Sequence, residues 1–257
     1  MVVGLYCKAT TGCDKVSEYL KTVYLPDGIV VLGHISYNDN NITGCIMLPT
    51  SLYEDSKKAT KNWQNLTYMY SMNDAVKTVK HLQQTEGLDT MFAVSTTMAG
   101  RWYKPERPDN KNVKYAGRYR PANPCKLESY PQKAHVQAMC GNTTFQYTKN
   151  FAYTASRVTG YSWDKTHGFT ITFETEETLK VKFCFTFDNH TELLVGVAAY
   201  DVNYDAAPKN CTGFIGAAWS RLLFVEKIRK LLNIPGMYSP GVFLSRCVAE
   251  VQRRPGR

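Results

Sequence analysis

The chain lacks the marks of several common enzyme and binding classes. No CxxC pair occurs, which argues against a zinc ribbon. There is no HExxH, no GxSxG and no phosphate-binding glycine loop. The five histidines, at 34, 81, 135, 167 and 190, are scattered, and each reads as a surface or satisfied core residue. No metal site and no cofactor is therefore expected. No apolar run reaches the roughly 18 to 20 residues that cross a bilayer, so no membrane span is expected. The opening MVVGLYCKAT has no basic n-region and no apolar h-region, and Met1 reads as the start of a mature or truncated form. No RNA- or DNA-binding motif is present, and no nucleic-acid partner is expected.

What is present has a different character. The 257 residues are 44% hydrophobic, enough for one large domain or two small ones. Eight cysteines, an even number, stand at 7, 13, 45, 125, 140, 184, 211 and 247. Five N-glycosylation sequons begin at Asn41, Asn65, Asn142, Asn189 and Asn210; composition alone would give about two. Paired cysteines and excess sequons imply a secreted, disulfide-bonded glycoprotein carrying glycans at those asparagines. Net charge is +9, and eight basic residues lie between Arg101 and Lys126, interleaved with Trp102, Tyr103, Tyr115 and Tyr119. Pro105, Pro108, Pro121 and Pro124 break that stretch. It reads as a solvated basic loop, with a heparin-like or acidic-glycan contact as the alternative.

Hydrophobic spacing sets out the elements. VVGLYC (2–7) reads as a strand, CDKVSEYLKTVYL (13–25) as a helix stopped by Pro26, Asp27 and Gly28, and GIVVLGHISY (28–37) as a second strand. TGCIMLP, after the turn at 38–41, reads as a hairpin arm. NDAVKTVKHLQQ (73–84) is an amphipathic helix capped by Asn73 or Asp74 and ended by Gly87. LDTMFAVST (88–96) follows as a third strand, so the first hundred residues alternate strand and helix, as in a parallel sheet. Residues 100–160 look irregular, apart from a strand at 144–155. GFTITFE (168–174) is strand-like, and SRLLFVEKIRKLL, within 218–232, has a helical apolar face. Between these, Leu179, Val181, Phe183, Phe185 and Phe187 alternate like a strand, although Thr175–Glu176–Glu177 looks like a helix start.

The stretch LLVGVAAYDVNYDAAPKNC (193–211) begins as a strand buried on both faces and ends with Asp201, Asn203 and Asp205 at alternate positions. If the chain stays extended, the three oxygens share a side and line one pocket. The alternative is an Asx-rich turn leaving the strand.

GFTITFETEETLKVKFCFTFDNHTELLVGVAAYDVNYDAAPKNC, followed by SRLLFVEKIRKLL, resembles the last βα units of glycoside hydrolase family 18, the chitinases and chitinase-like lectins. VVGLYCK, GIVVLGHISYNDN and TEGLDTMFAVSTTMAGRWY resemble that family's first three strands, in order. The resemblance covers about half the chain, at its two ends. It implies that 176–187 is helical and that Tyr200 holds the place of the family's last-strand Trp. Departures are as informative. The DxxDxDxE motif, whose glutamic acid protonates the leaving oxygen, is absent, and Ser95-Thr96 replaces a Gly-Gly pair. The interval from the third strand to Gly168 is too short for four more βα units.

The expected fold is an α/β, TIM-barrel-derived, incomplete (β/α)8 barrel with an irregular middle. One degenerate domain would fill 1–235, with a C-terminal tail at 236–257. The expected function is that of a non-hydrolytic chitinase-like protein that binds chitin or N-acetylglucosamine glycans, or modulates a host or immune protein partner. Tyr200, Asp201, Asn203, Asp205 and Trp102 would contact sugar, and no residue would be catalytic. The alternatives are an active chitinase with atypical acids, Glu174 or Asp201, and a scaffold for a protein partner.

Overall fold

A computed structural model describes residues 1–5, 7, 13–34, 45–50, 71–107, 116–126, 132–140, 144–154, 159–205, 218–234, 239 and 241–252. Asn41, Asn65, Asn142 and Asn210 lie outside them, as do Tyr115, Cys211 and the turn at 38–41. Strands β1 (Val2–Leu5), β2 (Gly28–Val31), β4 (Met91–Thr97) and β11 (Val195–Tyr200) form a parallel sheet in the order β1-β2-β4-β11. Crossovers of chain separate them, including α1 (Cys13–Thr22) and α2 (Met72–Lys80), which continues as a π-helical turn over His81–Thr85. Ser71 caps α2, its hydroxyl accepting from Asp74 N–H. One face of the sheet, with Ile29, Val31, Phe92, Val94 and Val195, packs on Val76, Val79, Leu179, Phe183, Phe224 and Ile228 to make the main core.

The register puts Gly4, Val30, Ala93 and Gly196 on the opposite face, together with Gly28, Met91, Ser95, Ala198 and Tyr200. A complete barrel fills that inner space with bulky side chains from eight strands. Here four strands supply mainly small ones, and the sheet curls. A Cβ built on Gly4 would lie 3.2 Å from the Tyr200 hydroxyl, so the Tyr200 ring reaches across from the last strand towards the first. The fold is an incomplete, irregular (β/α)8-type barrel.

Helix α4 (Glu176–Asp188) occupies the segment whose alternation resembles a strand. Thr175 and Thr178 form a reciprocal capping box, and Glu176 and Glu177 lie at the positive end of the helix. The period-two series also contains an i, i+4, i+8 subset. Leu179, Phe183 and Phe187 are buried along one helical face, whereas Phe185 turns outward at 42% exposure. After α5 (Ser220–Leu232), the segment read as a tail carries α6 (Val242–Gln252), packed on α4 and tied to it by Cys184–Cys247.

The middle is more regular than its sequence. Strands β5 (Gly100–Tyr103), β7 (Gln132–Ala134), β8 (Phe151–Thr154), β9 (Thr159–Asp164) and β10 (Phe169–Phe173) form an antiparallel sheet in the order β7-β5-β10-β9-β8. The expected hairpin arm instead contributes β3 (Cys45–Ile46), which pairs with β6 (Pro124–Cys125) across the Cys45–Cys125 disulfide. A third bond joins Cys7 to Cys13, and Cys140, in the short helix α3 (Gln137–Cys140), is also disulfide-bonded. No helix among the described residues is long and apolar enough to cross a membrane.

Candidate functional site at the carboxyl end of the parallel strands

Three parallel strands end in polar residues at one point. Beyond β2, Gly33 passes so close to β4 that a Cβ there would stand 2.8 Å from the Ser95 carbonyl oxygen. This approach lets Gly33 N–H donate to Ser95 Oγ at 2.9 Å and brings His34 Nδ1 to 2.6 Å from the same oxygen. The Ser95 hydroxyl proton can then serve a neutral imidazole. The His34 ring lies 4.8 Å from that of Tyr200. Burial lowers the His34 pKa to about 4, with the Arg101 and Lys133 charges adding to the effect and Asp201 opposing it.

Asp201 follows Tyr200 in the left-handed region, at φ 54°, which a short polar side chain tolerates. Its carboxylate accepts from Thr97 Oγ1 at 2.6 Å and from Lys133 Nζ at 2.5 Å. Burial alone would raise its pKa, but the Lys133 and Thr97 hydrogen bonds outweigh burial and hold it below the ordinary aspartate value. Lys133 arrives from β7 of the antiparallel sheet, paired in register with the buried Arg101. Next to it, His135 stacks on Tyr204 at 4.1 Å. The edge of the second sheet thus closes over the end of the first.

The three alternating oxygens do not share a side. Residues Val202–Asp205 form a 3-10 turn, which rotates successive side chains apart. Asp201 joins the cluster with Tyr200, and Asn203 is exposed. Asp205 is buried, receives Arg221 Nε at 2.5 Å and Leu222 N–H at 2.9 Å, and so anchors the start of α5. Arg221 completes the joint by donating to the carbonyls of Glu174 and Tyr204. Trp102 also stands apart. It neighbours Arg101 in β5 and so points to the other face, where its ring contacts Tyr147, His167 and Phe169. Asn189 is exposed in the turn after α4.

Glu174 is fully buried. Its carboxylate accepts from Lys182 Nζ at 2.5 Å, Thr50 Oγ1 at 2.9 Å and Thr178 Oγ1 at 2.6 Å. Burial pulls the Lys182 pKa down, and Glu174 works against that pull. Sequence reading missed His34, Ser95, Thr97 and Lys133. The run Ser95-Thr96-Thr97 at the end of an apolar strand was the available signal for the first of these contacts. Nothing in the sequence near Lys133 pointed to Asp201.

No family model and no curated protein matches the chain. Solved structures do. A class V chitinase from Nicotiana tobaccum is 12% identical, with a TM-score of 0.53 over 91% of this chain and 56% of that one. A group IV chitinase from Ostrinia furnacalis is 12% identical, with a TM-score of 0.55 over 90% of this chain and 56% of that one. An immunomodulatory active chitinase from Trichuris suis is 11% identical, with a TM-score of 0.54 over 84% and 61%. The chain therefore spans little more than half the length of these proteins. At such identities the likeness is one of fold alone, and the fold these chitinases share with the chain is the incomplete, irregular (β/α)8-type barrel described above.

Proposed function

We propose that the chain is a secreted, chitinase-like glycoprotein without hydrolase activity, binding chitin fragments or other N-acetylglucosamine glycans around Tyr200. The state of the acids carries this reading. Hydrolysis of a glycosidic bond needs a carboxylic acid able to hand a proton to the leaving oxygen. Asp201 is held as a carboxylate by Lys133 and Thr97, Glu174 is enclosed by Lys182, Thr50 and Thr178, and Asp205 is bound to Arg221. Each is committed to a cation, and none is placed to release a proton to substrate. Tyr200 is half-buried, and its ring offers an apolar platform for the C–H-rich face of a sugar. Asp201 and the exposed Asn203 supply polar groups beside it. Disulfide pairing and the exposed sequon at Asn189 support passage through an oxidising, glycosylating compartment.

Isothermal titration with chito-oligosaccharides tests the proposal. Tyr200→Ala is expected to weaken binding several-fold or more while the fold survives. Absence of binding by the wild-type chain would discard the glycan reading in favour of a scaffold for a protein partner. Turnover of a fluorogenic chitobioside, lost in Glu174→Gln or Asp201→Asn, would reinstate a hydrolase. Mass spectrometry of protein secreted from eukaryotic cells should find a glycan on Asn189.

A further inference from the structure

A second constellation lies on the antiparallel sheet. Tyr161 and Trp163 are two residues apart in β9 and so share a face. Their rings stack at 5.5 Å and 24°. They floor a cleft of about 400 Å³, walled by Ala116, Ala152 and Asn150 and flanked by Arg120 and Lys149. The space depends on Ala152, which β8 sets directly opposite Tyr161.

Both flanking segments are braced before any ligand arrives. The Asn123 side-chain amide donates to the Gly117 and Arg120 carbonyls at 3.2 and 3.1 Å, and the nearby Cys45–Cys125 bond fixes this turn to β3. Lys149 N–H closes its own turn on the Gln146 carbonyl at 3.0 Å, and Asn150 Nδ2 donates to the Trp163 carbonyl at 3.0 Å. Arg120 and Lys149 are exposed, and neither is ion-paired among the described residues. In the strand order β7-β5-β10-β9-β8, Tyr161 lies three strands from Lys133. That separation is roughly 14 Å, so the cleft is distinct from the Tyr200 cluster.

The chemistry of the walls selects the ligand. Tyr161 and Trp163 are 2% and 9% exposed, leaving a narrow apolar strip. Such a strip suits a hydroxylated ring with one C–H-rich face better than a hydrocarbon. Two exposed cations beside it, without an ion-pair partner among the described residues and on a chain of net charge +9, favour an anion, and the guanidinium fork matches a carboxylate or sulfate. We propose that this cleft is a second binding site that takes a saccharide unit bearing a carboxylate or sulfate group.

Titration at physiological salt with a heparin-derived tetrasaccharide and with an oligoglucuronate tests it. The Arg120→Ala/Lys149→Ala double variant is compared with Lys15→Ala/Arg229→Ala, which removes the same charge from exposed sites elsewhere. Ala152→Leu plugs the cleft and keeps both cations. The first variant and the plugged one should each weaken binding about tenfold or more, and the control pair less than about twofold. The tighter acidic probe identifies sulfate or carboxylate as the recognised group. Equal losses in the two charge variants, or unchanged binding by Ala152→Leu, would reduce the effect to diffuse attraction and overturn the proposal. So would no binding of either acidic probe by the wild-type chain. A neutral chito-oligosaccharide run in parallel should be insensitive to Ala152→Leu, which separates this site from the one at Tyr200.

Discussion

The parallel sheet and the antiparallel sheet bury different things. The parallel sheet rests one face on an apolar helical layer and leaves small residues on the other. The antiparallel sheet buries hydroxyls, including Thr159, Ser162, Thr170 and Thr172, each bonded to a carbonyl or set against a polar neighbour. Charged contacts gather where the two meet: Asp201 with Lys133, Glu174 with Lys182, and Asp205 with Arg221. An incomplete barrel cannot close its inner space with eight strands of bulky residues. Here a polar sheet is set against its open end, and the joint is electrostatic rather than greasy. The first sheet is scaffold, and the candidate binding chemistry lies at the joint and on the second sheet.

The joint is the place to break this arrangement. Lys182 and Glu174 are both fully buried, so removing one partner strands an uncompensated charge. Lys182→Met should cost about 3 to 5 kcal/mol in chemical denaturation. The double change Lys182→Met/Glu174→Leu should recover much of that loss, since an apolar pair can replace a buried ion pair. A double variant as unstable as the single one would mean that the network, not the isolated charge, holds the joint.

Disulfides sharpen the contrast between the regions. Cys45–Cys125 closes a separation of 80 residues beside the antiparallel sheet, whereas Cys7–Cys13 closes 6 beside the parallel one. Chain-entropy reasoning gives about 4.5 kcal/mol for the first and about 2 kcal/mol for the second. Replacing each pair by alanine and comparing denaturation midpoints checks the ratio. Equal costs would mean that loop length does not govern how the two regions are held.

The His34 environment gives the joint a pH signature. Its folded pKa is about 4, against an ordinary value of 6.5. Between those values the unfolded chain binds more protons than the folded one, so stability falls as pH drops from about 6.5 to 4 and levels off below. Asp201, held low, adds a separate loss only as pH falls below the ordinary aspartate range. The His34 share is on the order of 3 kcal/mol. Denaturation curves from pH 7.5 to 4 should show the slope in the wild type and a flatter one in His34→Phe. Matching slopes would place the titration elsewhere.

The same contrast explains what the sequence disclosed. Strands β1, β2, β4 and β11 were legible because apolar runs alternating with helical spacing have few other readings. Strand β9, TGYSWD, carries no apolar alternation, since it buries polar and aromatic residues on both faces. Strand β7 is three residues long, too short for any period to show. At the candidate site, Tyr200 was singled out only by the resemblance, which gives it the place of the family's last-strand Trp, and it ends β11. The shared side expected for Asp201, Asn203 and Asp205 assumed that the chain stays extended past Tyr200. The left-handed Asp201 and the following 3-10 turn remove that premise, and the destination of Asp205 depends on Arg221, 16 residues further on.

Helix α4 is where period two and the capped helix start pointed different ways and the expected helix formed, and its smallest expected effect is the most discriminating. In a strand, Phe183 and Phe185 would point to one face and be buried alike. In a helix they are about 200° apart. Phe183 is fully buried and stacks on Phe187 at 5.7 Å, while Phe185 is 42% exposed. Phe183→Ala should therefore cost about 3 to 5 kcal/mol through lost burial and the cavity left behind. Phe185→Ala should change stability by no more than about 0.5 kcal/mol in either direction, because the slight loss of contact is offset by alanine's higher helix propensity. Equal and large costs at the two positions would show both rings buried on one side. That result would return 179–187 to a strand and remove α4 from the wall of the barrel.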